Sequence, residues 1–326
     1  MGESLYLEGK SRAARRVLDE TIALREKNER RGTRYGGSAI LNHAEYAYFL
    51  AVVEGDSGDL ARGIDACDLA MKVAREAREE NGGVGKDNPF ALNLEAWIRE
   101  ARDRYEFAAR AIDREEVIAR QREIVAIHRD LRDRNIKAYA LSGVKVNEWS
   151  AAVATLAGYL IEAGRAEEAL TILREPIADQ ESLVANDNPD NREVPEYDLR
   201  NFVFRRVLAD LMARKAQALA MQGRADEAVL AVGRAVAIVE PLTESEPCYL
   251  DDLARHLALA STLPDSAGIA GAADRAVESI RRWIAEGFDN PYKLEHDERL
   301  SPLRDREDFR AMVRELRERI EAEEGR

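Results

Sequence analysis

The sequence predicts an all-α fold made of successive antiparallel helix pairs, and three observations lead to this prediction. Alanine is abundant and aromatic residues make up only 6% of the chain, a composition that favours closely packed helices over sheets. Apolar residues recur at helical spacing, as at Leu156, Leu160 and Ala163, and no run of alternating β-branched residues indicates a strand. Finally, one helix–turn–helix pattern recurs along the chain.

The recurring pattern is an apolar helix end, a glycine, a polar turn and a small residue five positions after the glycine. Its two best copies are YLIEAGRAEEAL and ALAMQGRADEAV. We expect the glycine to end its helix in a left-handed conformation, and the small residue to let the next helix pack closely. The predicted positions are Gly9 with Ala14, Gly58 with Gly63, Gly164 with Ala169, Gly223 with Ala228, and Gly271 with Ala276.

One spacing between these glycines is about twice the others, since the four spacings are 49, 106, 59 and 48 residues. The long spacing predicts a further turn near residue 111, which the alternation of first and second helices also requires. Asp113 and Glu116 have the spacing of a capping box and would begin a helix there. No Gly or Pro interrupts this stretch, so a single helix from Pro89 to Arg134 is the alternative.

The two best copies resemble tetratricopeptide repeats. The resemblance implies a right-handed α-α superhelix of antiparallel helix pairs, with a concave groove lined by the first helix of each pair. Pro176 departs from the repeat pattern, and we expect it to kink or shorten the second helix of its pair. The matching positions are Leu156, Ala157, Leu160, Gly164 and Ala169 in one unit, and Ala216, Leu219, Gly223, Ala228 and Ala235 in the next.

A narrower resemblance covers residues 175–320. Its segments are residues 181–197 (ESLVANDNPDNREVPEY), 249–261 (YLDDLARHLALAS) and 272–316, which ends in Pro302–Asp305 and Asp308-Phe309. They are similar to the C-terminal repeat arrays of bacterial serine/threonine protein kinases and their kinase-less relatives. The resemblance implies that the last segment closes the array as a cap. The first 140 residues match it only in general character.

The domain organisation that we predict is one continuous array with two parts. Residues 1–145 form divergent helical repeats, and residues 146–326 form tetratricopeptide-like repeats with a C-terminal capping helix. At the start, the predicted helix Ala13–Asn28 would leave part of its apolar face uncovered, at Val17, Ile22 and Leu24. Because ends of repeat arrays need polar caps, we expect either that the natural chain extends upstream or that this end packs on a partner, for example a second copy of the chain in a homo-oligomer.

Charge and hydropathy exclude several classes of partner. The net charge is −13, and the arginines lie beside acidic residues rather than in a basic stripe, so we expect no nucleic-acid or membrane partner. The longest apolar run, Tyr46–Val53, is shorter than the roughly 20 residues that span a bilayer, and no secretory signal is visible. Cys67 and Cys248 are isolated. We therefore expect a cytoplasmic protein.

The segment His128–Asn135 matches H-R-D-L-x-x-x-N, the catalytic loop of protein kinases. A kinase also needs a D-F-G segment and a glycine-rich loop before a strand lysine, and neither exists in this chain. We therefore interpret the segment as a charged helix end. The glycines of Asn81–Lys86 and the acidic residues of Asp187–Asn191 likewise lack the spacing of phosphate and calcium loops. Four scattered histidines have no metal-ligand spacing, so we predict no catalytic residue, metal or cofactor.

The function that this sequence favours is a non-catalytic scaffold or adaptor that binds a protein or peptide in the concave groove. Two alternatives stay open: the regulatory repeat portion of a split or truncated kinase, and a self-associating structural module. Repeat phase assigns the groove positions to the first helices of the two best units. These positions are Asn147, Ala151, Ala154, Gly158, Arg206, Asp210, Ala213 and Gln217.

Overall fold

The computed structural model is helical throughout its regular secondary structure and divides into two compact units. Unit 1 comprises residues up to 127 together with Phe288–Lys293, and unit 2 comprises His128–Gly287 and Leu294–Arg326. The predicted boundary after residue 145 falls inside unit 2. The residues that the structure describes are 10–30, 37–80, 88–135, 142–185, 195–264, 269 and 271–324, and none of these forms a strand.

The described residues form five α-helices up to residue 135 and nine more after it. The first five are α1 (Ser11–Arg30), α2 (Gly37–Asp56), α3 (Leu60–Glu80), α4 (Pro89–Ala108) and α5 (Arg114–Asn135). The next five are α6 (Ser142–Glu162), α7 (Ala166–Ile172), α8 (Arg174–Ala185), α9 (Pro195–Met221) and α10 (Ala225–Val239). The last four are α11 (Leu250–Ala260), α12 (Ala272–Ala285), α13 (Pro291–His296) and α14 (Glu307–Glu324). Short 3₁₀ helices occupy Glu240–Glu244, Pro247–Tyr249 and Glu298–Leu303.

The first four helices of unit 1 pack consecutively against each other, and small side chains make that packing close. Helix α2 contacts α1, α3 and α4, and buried alanines and valines fill the space between them. The segment Phe288–Lys293 adds a polar seam to this unit. The Asp289 carboxylate accepts a hydrogen bond from the Ser11 backbone N–H at 2.7 Å, and the Asn290 amide donates to the Asp56 carbonyl at 2.8 Å.

Three of the predicted turn glycines end their helices in the left-handed region. Gly58, Gly164 and Gly223 have φ of 94°, 76° and 72°. In each turn the glycine N–H bonds the carbonyl three residues back, and the next N–H bonds the carbonyl five residues back. This pair of bonds satisfies carbonyls that the helix end would otherwise leave unpaired.

The predicted small residues after these turns lie where helices approach closely. Ala14, Ala169, Ala228 and Ala276 are fully buried. A methyl group at Gly63 would lie 3.0 Å from the Gly55 Cα, a distance that no packed side chain tolerates without movement of the backbone. Gly271 is also left-handed and precedes the first residue of α12, whereas Gly9 lies outside the described residues.

The turn predicted near residue 111 is present, and the one-helix alternative is wrong. Helix α4 ends at Ala108, and Arg110 takes the left-handed conformation with φ of 58°. The Arg110 N–H bonds the Phe107 carbonyl and the Ala111 N–H bonds the Glu106 carbonyl, the pattern of the glycine turns. The Asp113 carboxylate then accepts from the Glu116 N–H at 2.9 Å, which caps the start of α5.

Two further expectations concern single residues. The helix that contains Pro176 is interrupted at Leu173, so that α7 is only seven residues long and Pro176 stands in the first turn of α8. A proline is tolerated there because first-turn N–H groups have no helical partner.

On α1, Ile22 is buried in the core of unit 1, so its predicted exposure is wrong, while Leu24 is 60% exposed.

Candidate partner-binding surface

Three first helices of unit 2 form a row. Helix α9 contacts α6 on one side and α11 on the other. Each helix of this row begins a pair, because α6 packs on α7 and α8, α9 on α10, and α11 on α12. The eight groove positions predicted from repeat phase all lie on α6 and α9, which places them on two adjacent helices of one unit.

The positions on α6 are largely covered by neighbouring helices. The Asn147 side chain is buried, and its oxygen accepts a hydrogen bond from the Gln180 amide of α8 at 3.2 Å. Ala154 and Gly158 are buried, whereas Ala151 is half-buried. A methyl group at Gly158 would lie 3.0 Å from the Arg214 Cζ. Glycine is therefore the residue that lets the Arg214 guanidinium of α9 lie against α6.

The positions on α9 combine charge with partial exposure. The Arg206 side chain is 45% exposed and its Nε lies 2.6 Å from an Asp252 oxygen. The Asp210 side chain is 31% exposed and accepts from Arg299 at 2.9 Å. Ala213 is buried. Gln217 is half-buried and accepts a hydrogen bond from Arg214 at 3.1 Å. The charged positions thus have partners within the chain and still reach solvent.

A buried arginine connects the carboxylates behind this row. Arg255 of α11 lies 2.9 Å from Asp251, 3.4 Å from Asp252 and 2.6 Å from Asp297. Asp297 also caps the 3₁₀ helix Glu298–Leu303 by accepting from the Arg299 N–H at 2.9 Å. One guanidinium therefore holds three carboxylates of two elements, which fixes the position of Asp252 beneath Arg206.

The pKa values follow from this arrangement. Burial by itself would raise the pKa of Asp252, but Arg206 and Arg255 outweigh burial and lower it. Burial would likewise raise the pKa of Asp210, and Arg299 and Arg214 lower it. The carboxylates therefore stay ionised at neutral pH.

A neutral histidine, His256, lies close to these ion pairs. Burial lowers the pKa of His256 to about 4, although Asp210 and Asp252 oppose the change. The His256 Nε2 makes no hydrogen bond to any described residue. A neutral imidazole beside ion pairs adds packing without adding charge, so the charge balance of this region is set by its arginines and aspartates.

Most of this network cannot be predicted from the sequence. Arg255 lies on α11, and Asp297 and Arg299 lie at the start of a 3₁₀ helix, so all three are outside the two best repeat copies. The one local signal was the spacing of Asp251 and Arg255, which is that of an intrahelical ion pair. Val203 was missed too: it lies three and seven residues before Arg206 and Asp210, on the same face of α9, and is 42% exposed.

The segment with the kinase-loop sequence is helical, since α5 continues to Asn135. Asp130 pairs with Arg134 one turn later at 2.8 Å, and the Arg132 guanidinium lies 4.0 Å from the centre of the buried Trp149 ring. Burial lowers the pKa of His128 to about 4. These contacts make the segment a packed helix end, as the helical spacing predicted.

Two searches over the described part of the chain give negative findings. No cluster of three or more His, Cys, Asp or Glu side chains there has the geometry to hold a metal ion. No helix among the same residues has a stretch that is both long and apolar enough to span a bilayer.

Models of known protein families give no match to this chain, and curated protein sequences give none either. The resemblance to tetratricopeptide repeats and to the repeat arrays of bacterial kinases therefore rests on the residues quoted above. The structure adds that consecutive helices pack in pairs.

Proposed function

We propose that this chain is a non-catalytic interaction module that binds a segment of a partner protein along the row formed by α6, α9 and α11. In this proposal the helix pairs form a right-handed superhelix of tetratricopeptide type, and the row lines its concave side. The module acts as a scaffold or adaptor, which is the role that such concave surfaces serve in repeat proteins.

The observation that carries the proposal is the partly exposed face of α9. Val203, Arg206, Asp210 and Gln217 recur at helical spacing, so they lie on one face of the helix. This face offers an apolar contact, a cation, an anion and an amide in sequence along about four turns. A surface that mixes these chemistries suits a peptide, whose backbone and side chains need both hydrogen bonds and apolar contacts.

The internal ion pairs favour specificity over general attraction. Because Arg206 and Asp210 are each paired within the chain, the row has no excess of either charge to attract partners from a distance. A partner must instead present hydrogen-bond donors and acceptors that match the solvent-exposed atoms of the Arg206 and Asp210 side chains. A mismatched partner would remove water from these ion pairs. It would not supply hydrogen bonds in place of those that the pairs had made to the water, so it binds weakly.

A displayed library of random peptides tests this proposal. The library would be selected on the immobilised wild-type chain, and enriched peptides would be measured again on Val203→Asp. We expect the variant to weaken binding by about tenfold or more, because a charge replaces an apolar contact at the row. Val203 is 42% exposed, so the substitution leaves the packing of unit 2 intact.

The matched control is Leu230→Asp. Leu230 is 70% exposed on α10, outside the row, and the change introduces the same charge in place of an aliphatic side chain. Peptides that lose affinity for Val203→Asp and keep it for Leu230→Asp support the row as the binding surface. Equal losses in both variants, or no enrichment on the wild-type chain, would contradict it.

A further inference from the structure

Unit 1 contains a polar cavity of about 580 Å³ between α3, α4 and α5. This volume lies within the range of small-molecule sites, about 300–1,000 Å³. Five basic side chains and three acidic ones line it, together with the apolar Met71 and Ile124 at its base. All its lining residues belong to unit 1 and none is on α6, α9 or α11, so it needs a separate explanation.

Every carboxylate that lines this cavity already has a cation. Asp68 lies 3.0 Å from Arg102, and Asp103 lies 2.9 Å from Arg120. Glu76 pairs more loosely with Lys72 at 3.9 Å, one helical turn away. The acidic groups of the cavity are thus neutralised within unit 1 and leave no negative site for a cationic ligand.

Two of the basic groups are already saturated by acidic partners. Arg102 also pairs with Glu106 at 3.2 Å, and Arg120 pairs with Glu106 at 2.6 Å in addition to its pair with Asp103. Burial raises the pKa of Asp103, and the hydrogen bond from Arg120 opposes that rise. Arg102 and Arg120 therefore form the fixed wall of the cavity and have little capacity for a further anion.

Arg75 of α3 and Arg99 of α4 are different. Both line the cavity, and among the described side chains neither makes an ion pair or a hydrogen bond. Arg99 is half-buried and Arg75 is exposed. The chain has a net charge of −13 and most of its described cations pair with a carboxylate, so two lining guanidinium groups of one cavity without such a partner stand out.

We propose that this cavity binds the phosphate group of a small phosphate monoester, held by Arg75 and Arg99. A phosphate monoester carries about 1.5 to 2 negative charges at neutral pH, which matches the two uncompensated guanidinium groups. Arginine presents a planar fork of donors that fits phosphate oxygens in pairs. The apolar base at Met71 and Ile124 would contact the organic part of the ligand.

Isothermal titration calorimetry with glycerol phosphate as the probe tests the site on the full-length chain. We expect saturable binding with one site, and an increase in the dissociation constant of about tenfold or more in both Arg75→Gln and Arg99→Gln, since each removes one charge-assisted contact. Arg16→Gln is the matched control: Arg16 is exposed on α1 and outside the cavity, and its loss changes the net charge equally.

Two further arms make the outcome decisive. Inorganic phosphate should bind more weakly than glycerol phosphate, because it lacks the organic part, and succinate should not compete, because its carboxylates lack the tetrahedral oxygen set. No saturable binding by the wild-type chain, an equal loss in Arg16→Gln, or succinate binding as tight as that of glycerol phosphate would overturn the proposal. The Val203→Asp variant should bind glycerol phosphate normally, because the site is independent of the row in unit 2.

Discussion

Units 1 and 2 bury carboxylates in the same kind of all-helical packing, with opposite effects on their pKa values. In unit 1, burial raises the pKa of Glu54 and of Asp103 in spite of nearby arginines. In unit 2, burial acts in the same direction on Asp252 and Asp297, but arginines outweigh it and lower both pKa values. All four groups are carboxylates, so the opposite pKa shifts must come from the cations that surround them.

One cation of unit 2 differs from the cations of Glu54 in how much water reaches it, while Arg206, which also lowers the pKa of Asp252, is 45% exposed. Glu54 pairs with Arg15 and Arg62, whose side chains are 36% and 52% exposed. The Arg255 side chain, which joins the carboxylates of unit 2, is only 6% exposed. Water around a guanidinium screens its attraction for a carboxylate, whereas a buried guanidinium acts through a low effective dielectric constant. Buried pairs therefore tie the stability of unit 2 to its charges more tightly than that of unit 1.

Of the substitutions that test this difference between the units, removal of the Arg255 cation should have the largest effect on stability. We expect Arg255→Met to lower the free energy of unfolding by about 3–5 kcal/mol, because Asp251, Asp252 and Asp297 would lose a buried partner while the packing volume is kept. Urea unfolding followed by circular dichroism measures this loss.

Arg281→Met is the control for the Arg255 variant. Arg281 pairs with Glu278 at 3.1 Å on the exposed side of α12, where both side chains are more than half exposed. Its loss should change stability by less than about 1 kcal/mol. If Arg255→Met were as mild as this control, the lowered carboxylate pKa values would have no basis in strong pairing.

Acid should also act on unit 2, through its two buried histidines. The folded-state pKa of His128 and of His256 is about 4, below the ordinary 6.5. As pH falls, the unfolded chain takes up these protons first, so stability is full above pH 6.5 and falls between pH 6.5 and 4. Each histidine contributes a loss of about 3 kcal/mol at the lower end of this range.

Urea midpoints measured from pH 7 to pH 4.5 test the histidine effect. His128→Gln and His256→Gln should each show a smaller decline with falling pH than the wild-type chain. His296→Gln should leave the decline unchanged, because His296 is exposed. A decline that is equally steep in all four proteins would assign the acid sensitivity to other groups.

Most of the helix arrangement could be predicted from local sequence, because glycine turns and apolar spacing are local signals. The copies at Gly58, Gly164 and Gly223 have the conformation that their residue type predicts. The turn at Arg110 has the same conformation without glycine, so a search for glycine could not find it, and the doubled spacing, the helix alternation and the Asp113–Glu116 spacing indicated it instead. The polar seam from Asp289 to Ser11 joins residues far apart in sequence, and no local pattern encodes such a contact.

The candidate surface was predicted less completely than the fold. The helical spacing of Arg206 and Asp210 predicts that they share one face of α9. It does not predict which residues of other elements contact that face. Their partners Asp252 and Arg299 come from elements 46 and 89 residues further along the chain. Burial of Asn147 and Gly158 depends in the same way on neighbours from other helices, α8 and α9. Positions along a helix can be predicted from sequence, and their contacts need the packed structure.

The smallest effect on stability should come from a substitution of Glu54, the buried carboxylate of unit 1. We expect Glu54→Gln to alter the free energy of unfolding by no more than about 1 kcal/mol, in either direction. The substitution leaves Arg15 without this carboxylate and Arg62 with only Asp19 at 3.7 Å, but both side chains reach solvent and water can replace it. It also removes the desolvation cost that raises the pKa of Glu54, so the two changes offset each other.

Urea unfolding at pH 7 measures the Glu54 variant beside Arg255→Met. If Glu54→Gln cost about 3 kcal/mol or more, the pairs of Glu54 would be as strong as those of Arg255 despite their exposure. Exposure of the cation would then fail to explain why carboxylates in the two units shift in opposite directions. A small effect, together with a large one for Arg255→Met, would show that burial of the arginine decides whether a buried carboxylate stabilises its unit.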